Sequence, residues 1–216
     1  MMNQRPVGGA ERTSHWNAAY QSKGASGVSW HQAEPEFSLR CIDALGITAN
    51  ASLIDVGGGA SVLVDRLIAR GWSDLSVLDV SDTAMAEASE RLGAEAPVHW
   101  LHEDILVWQP ARRYDVWHDR AVFHFLVTEA EQRAYLQVLS RAIAPGGAVI
   151  LGTFGPDGPE VCSGLPVRRW SAEDLIELLG GVGFSPVETL VEDHRTPWDA
   201  HQQFVWVAAR SEATAG

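Results

Sequence analysis

The chain has few cysteines and no long apolar run. Its two cysteines, Cys41 and Cys162, are far apart, and no cysteine or histidine group has the spacing of zinc ligands. We therefore expect two free thiols in a reducing compartment, with neither a disulfide framework nor a bound metal. No apolar run approaches the ~18 residues of a membrane-spanning helix, and the first residues lack the apolar segment of a secretion signal. The expectation is a soluble, cytoplasmic protein with no membrane partner.

Positive charge is also scarce. Lys and Arg together number 16 against 28 Asp and Glu, which gives a formal net charge of −12. A surface this acidic repels phosphate backbones. The only adjacent basic pairs are Arg112/Arg113 and Arg168/Arg169. Nucleic acid is therefore not an expected partner.

The length of 216 residues suits one α/β domain with a substantial core. Apolar runs bounded by turn residues alternate with segments of helical spacing, which favours a doubly wound parallel sheet with helices on both faces. The last two strands are separated only by a short loop, so we expect them to be antiparallel. The predicted strands are residues 51–56, 75–79, 98–101, 114–118, 148–153, 184–191 and 203–209.

Three stretches differ in character. Residues 1–10 resemble a flexible tail, 11–46 form an N-terminal segment of two helices, and 47–216 form the domain. The N-terminal segment carries large aromatic side chains although it precedes the first strand. We expect these side chains to cover the carboxyl edge of the sheet as a lid, with Trp30 against the ligand.

A glycine-rich turn follows the first predicted strand. It runs from Asp55 through Gly57, Gly58 and Gly59 to Ser61. The glycines let the backbone turn sharply and approach a ligand, and the following helix offers unpaired N–H groups. A dinucleotide fingerprint is excluded because Val62 stands where its last glycine belongs, and a phosphate-binding P-loop lacks its Gly-Lys-Ser/Thr. A purely structural turn is the alternative.

Two further acidic residues follow predicted strands. Asp79, with Val80 beside it, ends the second strand about twenty residues after the glycines, where a carboxylate can accept hydrogen bonds from ribose hydroxyls; a helix cap is the alternative. Asp104 and Ile105 follow the third strand, and their alternative is a solvated acidic loop.

The glycine-rich run resembles motif I of the class I S-adenosylmethionine-dependent methyltransferases, D-x-G-x-G-x-G, with Ser61 replacing the last glycine. The Ala144-Pro-Gly-Gly147 turn before the fifth strand is also common in that class, and the resemblance covers residues 45–210. It implies a Rossmann-like seven-stranded sheet with an antiparallel last strand, and S-adenosyl-L-methionine as cofactor. It also implies that Asp104 binds the adenine amino group and that Ile105 packs on the ring.

The methyl acceptor is expected at the end of the fourth strand, because ligands bind beyond the carboxyl ends of such strands. Asp119, Arg120 and His124 lie there and are the candidate catalytic residues. A histidine or carboxylate at this place can remove a proton from the acceptor. The alternative is that Asp119 and Arg120 pair with each other and support the loops.

Two stretches bear on the kind of acceptor. His15–Tyr20 and Val28–Gln32 resemble the lid segments of thiopurine, thiol and halide methyltransferases. The stretch 114–123 is similar both to that group and to the V-x-x-D-K-G element of small lysine methyltransferases, with Arg120 replacing lysine. We therefore expect transfer to a small-molecule nucleophile such as a thiol, by a monomer or homodimer. A protein-lysine N-methyltransferase and a non-catalytic S-adenosylmethionine sensor are the alternatives.

Overall fold

The computed structural model describes residues 8–212. Two helices, α1 (Gly9–Lys23) and α2 (Glu36–Ala44), precede the first strand, with a single 3-10 turn at Ala25–Gly27 between them. Helix α1 begins inside the stretch 1–10 that was expected to be a flexible tail, and residues 1–7 of that stretch lie outside the described residues. The first helix thus begins at Gly9.

Nine strands follow in the described part of the chain. They are β1 (Leu53–Val56), β2 (Leu75–Asp79), β3 (Val98–His102), β4 (Tyr114–Arg120), β5 (Ile143–Phe154), β6 (Val161–Cys162), β7 (Leu165–Pro166), β8 (Phe184–Arg195) and β9 (His201–Ser211). Seven of them form one sheet in the order β3-β2-β1-β4-β5-β9-β8, while β6 and β7 form a separate short hairpin. The first five strands pair in parallel, and β9 is antiparallel to both β5 and β8. The predicted seven-stranded Rossmann-like sheet is confirmed.

Four helices connect the strands: α3 (Leu63–Ala69), α4 (Asp82–Leu92), α5 (Glu129–Ala142) and α6 (Ala172–Gly180). Alternate side chains of the central strands point to opposite faces. Val149 and Leu151 of β5 belong to the core under α5 and α6, whereas Ile150 belongs to the core under α2 and α3. Each face of the sheet is thereby covered.

The start of β5 differs from the prediction. The Pro-Gly-Gly turn was expected to separate helix from strand, with the strand beginning at residue 148. The structure instead includes the turn in β5, which begins at Ile143. The pairing with β4 shifts register between Tyr114 and Val116, and Gly146 has φ +75°. The turn is therefore an irregular first part of the strand, where the glycine takes up the bend from α5.

The sheet order places a switch point between β1 and β4. From β1 the chain continues to β2 on one side, whereas β4 lies on the other. Loops that leave neighbouring strands in opposite directions open a crevice at the carboxyl ends, which is where ligands bind in such sheets. Within the described residues the longest helix, α1, has 15 residues, and none is long and apolar enough to cross a bilayer.

Candidate active site

The glycine-rich turn after β1 brings the chain close to the loops after β2 and β4. Gly57 has φ +68°, and a Cβ on it would lie 2.0 Å from Cγ2 of Val122. Gly59 has φ +43°, and a Cβ there would lie 2.9 Å from Oδ2 of Asp79. Both positions combine left-handed backbone with lack of space, so a side chain is excluded for two separate reasons.

A cavity opens at the carboxyl ends of β1, β2 and β4. Its empty volume is about 800 Å³, including the open mouth, which is within the range of small-molecule sites. Seven of the residues predicted from the sequence line it: Trp30, Gly57, Asp79, Val80, Asp104, Ile105 and Arg120. The turn after β1, the ends of β2 and β4, and the loop after β3 thus meet at one cavity, as the parallel strands require.

A second cavity of about 570 Å³ adjoins the first on the other side of the glycine turn. Tyr20, Trp30, Gly57 and Arg120 line both cavities. Two predicted cofactor residues, Asp55 and Gly58, line only the second, and Gly59 lines neither. The turn therefore lies between the two spaces, with Gly57 facing each of them.

Asp79 is buried at the end of β2. Its Oδ1 accepts a hydrogen bond from the backbone N–H of Ser81 at 2.8 Å. The cap of α4 is Ser81, whose hydroxyl accepts from the N–H of Ala84, so the alternative reading of Asp79 as the helix cap does not apply. Burial, and then the nearby charge of Asp55, raises the pKa of Asp79 to about 6.

Asp104 is held by α1 as well as by its own loop. Its Oδ2 accepts from Nη2 of Arg12 at 2.6 Å and from Nε at 3.2 Å, and its Oδ1 accepts from the backbone N–H of Leu106 at 3.0 Å. The Arg12 and Asp104 side chains are 20% and 12% exposed, so water screens this ion pair only in part. The N-terminal segment is thereby tied to the loop that the resemblance assigns to adenine.

Asp55 belongs to a buried chain of hydrogen bonds. Its Oδ1 lies 2.7 Å from Nδ1 of His118, and Nε2 of His118 lies 2.9 Å from Oγ of Ser38. All three residues are buried. Oδ2 of Asp55 is buried with no hydrogen-bond partner in the part of the chain that the structure describes. These hydrogen bonds fix the orientation of Asp55 and leave one of its carboxylate oxygens available beside the second cavity.

Asp119 lies behind the wall of the cavities. It is fully buried, its Oδ1 accepts from the N–H of Val122 at 2.9 Å, and its Oδ2 accepts from the hydroxyl of Tyr135 at 2.5 Å. Burial raises the pKa of Asp119 to about 6. No ion pair joins it to Arg120 among the described residues, so the alternative of an Asp119–Arg120 pair is not what the structure shows. This carboxylate supports the turn after β4.

His124 also points into the core. It is fully buried, and its Nδ1 accepts from the backbone N–H of Phe154 at 3.2 Å. Burial, and then the charge of Arg120, lowers the pKa of His124 to about 3, so the ring is neutral at physiological pH. Neither Asp119 nor His124 lines either of these two cavities. Of the three candidate catalytic residues, only Arg120 faces the space where an acceptor would bind.

Arg120 contacts the N-terminal segment and β9. Its Nη1 donates to the backbone oxygen of Trp30 at 2.7 Å, and its Cζ lies 4.6 Å from the ring centroid of Phe204. Its Nε and Nη2 are buried and have no hydrogen-bond partner within residues 8–212. Burial lowers the pKa of Arg120 from its ordinary value, although an arginine stays charged at physiological pH.

Aromatic side chains of the N-terminal segment form one wall of the first cavity. The rings of Trp16 and Trp30 lie 5.5 Å apart, Trp16 lies 5.0 Å from Phe125 after β4, and Nε1 of Trp30 donates to the hydroxyl of Tyr20. Trp16, Tyr20, Trp30 and Phe125 all line the cavity. These contacts place the segment over the carboxyl edge, where we predicted a lid; its closing over a ligand stays a prediction.

Several lining residues were not singled out as site residues from the sequence: Arg12, Glu103, Leu106, Val122, Phe125 and Leu126. No local sequence pattern predicts a role for Arg12, because its partner Asp104 is 92 residues away. Cys162 also lines the first cavity, and burial raises the pKa of its thiol to about 11. The thiol is therefore protonated at neutral pH.

Within residues 8–212 no group of three or more metal-ligating side chains is found.

Comparison with known proteins agrees with this geometry. Residues 54–149 match the family model described as a methyltransferase domain. Malonyl-[acyl-carrier protein] O-methyltransferase 2 of Ilyobacter polytropus is 24% identical over 121 residues, which cover 53% of this chain. The match spans about half, 46%, of that relative's length. EEF1A lysine methyltransferase 2 of Danio rerio is 25% identical over 201 residues, covering 85% of this chain and 77% of the relative.

Among solved structures, the N-methyltransferase NodS of Bradyrhizobium japonicum in complex with S-adenosyl-L-homocysteine superposes with a TM-score of 0.67. It is 18% identical and covers 90% of this chain and 97% of its own. The match over residues 54–149 and the shared fold agree with the predicted class I methyltransferase domain and with its expected cofactor, S-adenosyl-L-methionine. The finer resemblance to thiopurine, thiol and halide methyltransferases stays a prediction.

Proposed function

We propose that the protein transfers a methyl group from S-adenosyl-L-methionine to a small-molecule nucleophile. The observation that carries this proposal is the first cavity at the carboxyl edge of the sheet, of about 800 Å³. Asp79 and Asp104 line one part of it, and Trp16, Phe125 and Arg120 line another. One part thus suits an adenosine and the other a flat or apolar acceptor. The bacterial relative in the comparison is named as an O-methyltransferase, which supports the reaction class.

The residues fit the donor in size and charge. Gly57 has no room for a Cβ, so its backbone can approach a ligand closely. We assign Asp79 to the ribose hydroxyls, Asp104 to the adenine amino group, and the buried free oxygen of Asp55 to the ammonium group. When bound, S-adenosyl-L-methionine supplies an electrophilic methyl group on a positively charged sulfur. Asp55 and Asp79 then also balance part of the donor's positive charge.

The chemistry assigned to the acceptor side is positioning and exclusion of water. Cys162 is protonated, and Asp119 and His124 lie outside the lining, so neither of these two candidate proton acceptors faces the acceptor. Methyl transfer needs a nucleophile held about 3 Å from the methyl carbon with few bound waters. A thiol, with an ordinary pKa of ~8.5, ionises without a strong base. Thiols or other soft nucleophiles are therefore the acceptors we propose first.

The test is the release of S-adenosyl-L-homocysteine with a panel of small thiols, amines and phenols. We expect turnover with at least one thiol and less with amines of similar size. Absence of turnover together with tight donor binding would favour a sensor over an enzyme. Absence of both donor binding and turnover would overturn the proposal.

The lysine methyltransferase of Danio rerio supports a second candidate function, because its match extends over 85% of this chain. A surface with net charge −12 attracts basic proteins, so transfer to a protein lysine is the alternative. The same assay with lysine-rich polypeptides in place of small molecules separates the two. Incorporation of labelled methyl groups into protein, without any small-molecule turnover, would replace our first proposal by this one.

A further inference from the structure

Two arginines of this protein, Arg66 and Arg91, each bind a carboxylate through the edge of the guanidinium formed by Nε and Nη2. Arg66 donates from Nε to Glu34 at 2.8 Å and from Nη2 to the other carboxylate oxygen at 2.5 Å. Arg91 does the same with Asp65, at 2.9 Å for both bonds. This two-bonded geometry matches the planar fork of the guanidinium to a planar carboxylate.

Arg120 presents the same edge without a partner. Its Nε and Nη2 are buried and make no hydrogen bond within residues 8–212, while Nη1 is taken by the backbone oxygen of Trp30. Glu192 is the acidic residue that most favours the charged form of Arg120, but its two oxygens accept from Gln32 at 2.7 Å and from the indole of Trp206 at 2.8 Å. No described carboxylate lies within ion-pair distance of this guanidinium.

Leaving two N–H groups of a buried cation without acceptors is costly, because they give up their hydration and form no hydrogen bond in its place. A bound ligand that supplies the missing hydrogen-bond acceptors would offset this cost. Arg120 stands at the junction of the two cavities and lines both, together with Gly57 and Trp30. A ligand in either cavity therefore lies against this residue.

We propose that Arg120 is the anchor of a carboxylate-binding subsite at this junction. The inference rests on the proposed function, because the carboxylate belongs to one of the two reactants of the methyl transfer. One source is the amino-acid end of the donor, whose ammonium we assign to Asp55 nearby. The other is a carboxylate carried by the acceptor, lying in the aromatic part of the first cavity. The shared chemistry is a planar monoanion bound through Nε and Nη2.

The first measurement uses the unmodified protein. Calorimetry compares S-adenosyl-L-homocysteine with its decarboxylated analogue, and the turnover assay compares small carboxylic acids with their primary amides. We expect at least tenfold higher affinity or turnover for the carboxylated ligand in one of the two comparisons. An effect in the first comparison assigns the carboxylate to the donor, and an effect in the second assigns it to the acceptor. Equal affinity and equal turnover across both pairs would overturn the inference.

The second measurement uses the variants Arg120→Gln and Arg120→Lys. Both should lose most of the preference for the carboxylated ligand, because glutamine removes the charge and lysine keeps it without the two-bonded fork. Arg66→Gln is the matched control, since it removes an equivalent fork on an exposed pair of which neither residue lines a described cavity. Circular dichroism and thermal unfolding show whether each variant folds. Retention of the full preference by folded Arg120→Lys and Arg120→Gln would overturn the assignment to Arg120.

Failure of the inference and failure of the proposed function give different results. If the unmodified protein binds neither S-adenosyl-L-methionine nor its product, both the proposed function and the proposed subsite are wrong. If the protein binds the product and methylates an acceptor but ignores the carboxylate in both comparisons, only the subsite is wrong.

Discussion

At the scale of single residues, the carboxylates near the cavity have different surroundings and so different roles. Asp79 lines the first cavity and Asp55 the second, whereas Asp119 is enclosed by backbone N–H groups and Tyr135. A carboxylate at a strand end serves a ligand only if an oxygen is directed toward the cavity. The three acids therefore separate into two ligand-binding groups and one that supports a loop.

The first prediction concerns Asp79 and pH. The ionised carboxylate accepts hydrogen bonds from ribose hydroxyls more strongly than the protonated form does. Since the folded pKa is raised to about 6, donor affinity should be complete near pH 7.5 and should fall as pH drops through 6. Asp79→Asn should bind at least tenfold more weakly at pH 7.5. Calorimetry with S-adenosyl-L-homocysteine between pH 5 and 8 measures both effects.

The raised pKa also affects stability. Because the folded protein binds the proton of Asp79 more tightly than the unfolded chain, this residue contributes a stability that is present below about pH 4 and lost as pH rises to about 6. Asp79→Asn removes that dependence. Asp119 has a similar pKa, so an unchanged pH profile of donor affinity in Asp79→Asn would assign the titration to Asp119 and contradict the prediction.

The second prediction separates stability from turnover at Asp119. Replacement by alanine leaves the N–H of Val122 and the hydroxyl of Tyr135 without their acceptor in the core. Each such buried donor costs about 1–3 kcal/mol, so Asp119→Ala should lower the free energy of unfolding by at least ~2 kcal/mol. Urea denaturation measures the loss, and Glu129→Ala is the exposed control. A folded, stable Asp119→Ala that binds the donor normally but has lost turnover would restore a catalytic role.

At the scale of elements, the turn between β1 and α3 carries the strongest steric constraint. The third prediction is that Gly57→Ala greatly reduces stability and donor affinity, because its Cβ would overlap Val122. Gly71→Ala is a matched control: Gly71 also has positive φ, at +87°, but nothing lies near its Cβ position. We expect Gly57→Ala to be the more destabilising by at least ~1 kcal/mol, since a buried overlap adds to the backbone strain.

The double variant Gly57→Ala/Val122→Ala provides a further check in the same denaturation experiment. Removing the valine methyl groups should recover part of the stability lost in Gly57→Ala. If the two glycine variants unfold alike and Val122→Ala gives no recovery, the close approach between these loops is not what constrains the turn.

Helix α1 and the loop after it form the second element with a testable role. The fourth prediction is that Arg12→Ala, which breaks the pair with Asp104, speeds the release of S-adenosyl-L-homocysteine and lowers turnover about tenfold. The reason is that the pair ties the N-terminal segment to the loop after β3, and loss of closure admits water to the acceptor. Arg133→Ala removes an exposed pair with Glu129 on α5 and is the control.

Stopped-flow tryptophan fluorescence measures the release, because Trp16 and Trp30 line the cavity. Deletion of residues 1–32 is the more severe version of the same test, and turnover should collapse while donor binding falls by less. A truncated protein that methylates as well as the full chain would show that the segment contributes packing alone.

At the scale of the whole molecule, the cavity lies where several separate stretches of chain meet. The N-terminal segment, the turn after β1 and the loops after β2, β3 and β4 all contribute lining residues. A ligand that binds only the folded form stabilises it by RT ln(1 + [L]/Kd). The fifth prediction is therefore that S-adenosyl-L-homocysteine at 100 times its Kd raises the free energy of unfolding by about 2.7 kcal/mol. Equilibrium denaturation at two ligand concentrations checks this, and NAD is the control ligand.

Much of the fold and part of the candidate site could be predicted from the sequence alone. Apolar runs alternating with helical spacing determine an α/β sheet, and parallel strands bring their carboxyl ends to one edge. Residues at the ends of β1, β2 and β3 therefore meet, which is why the sequence alone predicts that Gly57, Asp79 and Asp104 lie together. The glycines of the turn after β1 are also predictable from local sequence, since only glycine combines a left-handed backbone with the lack of space for a Cβ.

Only the tertiary structure decided which side chains face the ligand and which face the core. His124 and Asp119 stand close in sequence to Arg120, but packing against Phe154 and Tyr135 directs both into the interior. The pairing of Arg12 with Asp104 spans 92 residues, and that of His118 with Ser38 spans 80. The physical reason is that local spacing fixes an element and its buried face, whereas the direction of a side chain in a loop depends on distant residues that fill the space around it.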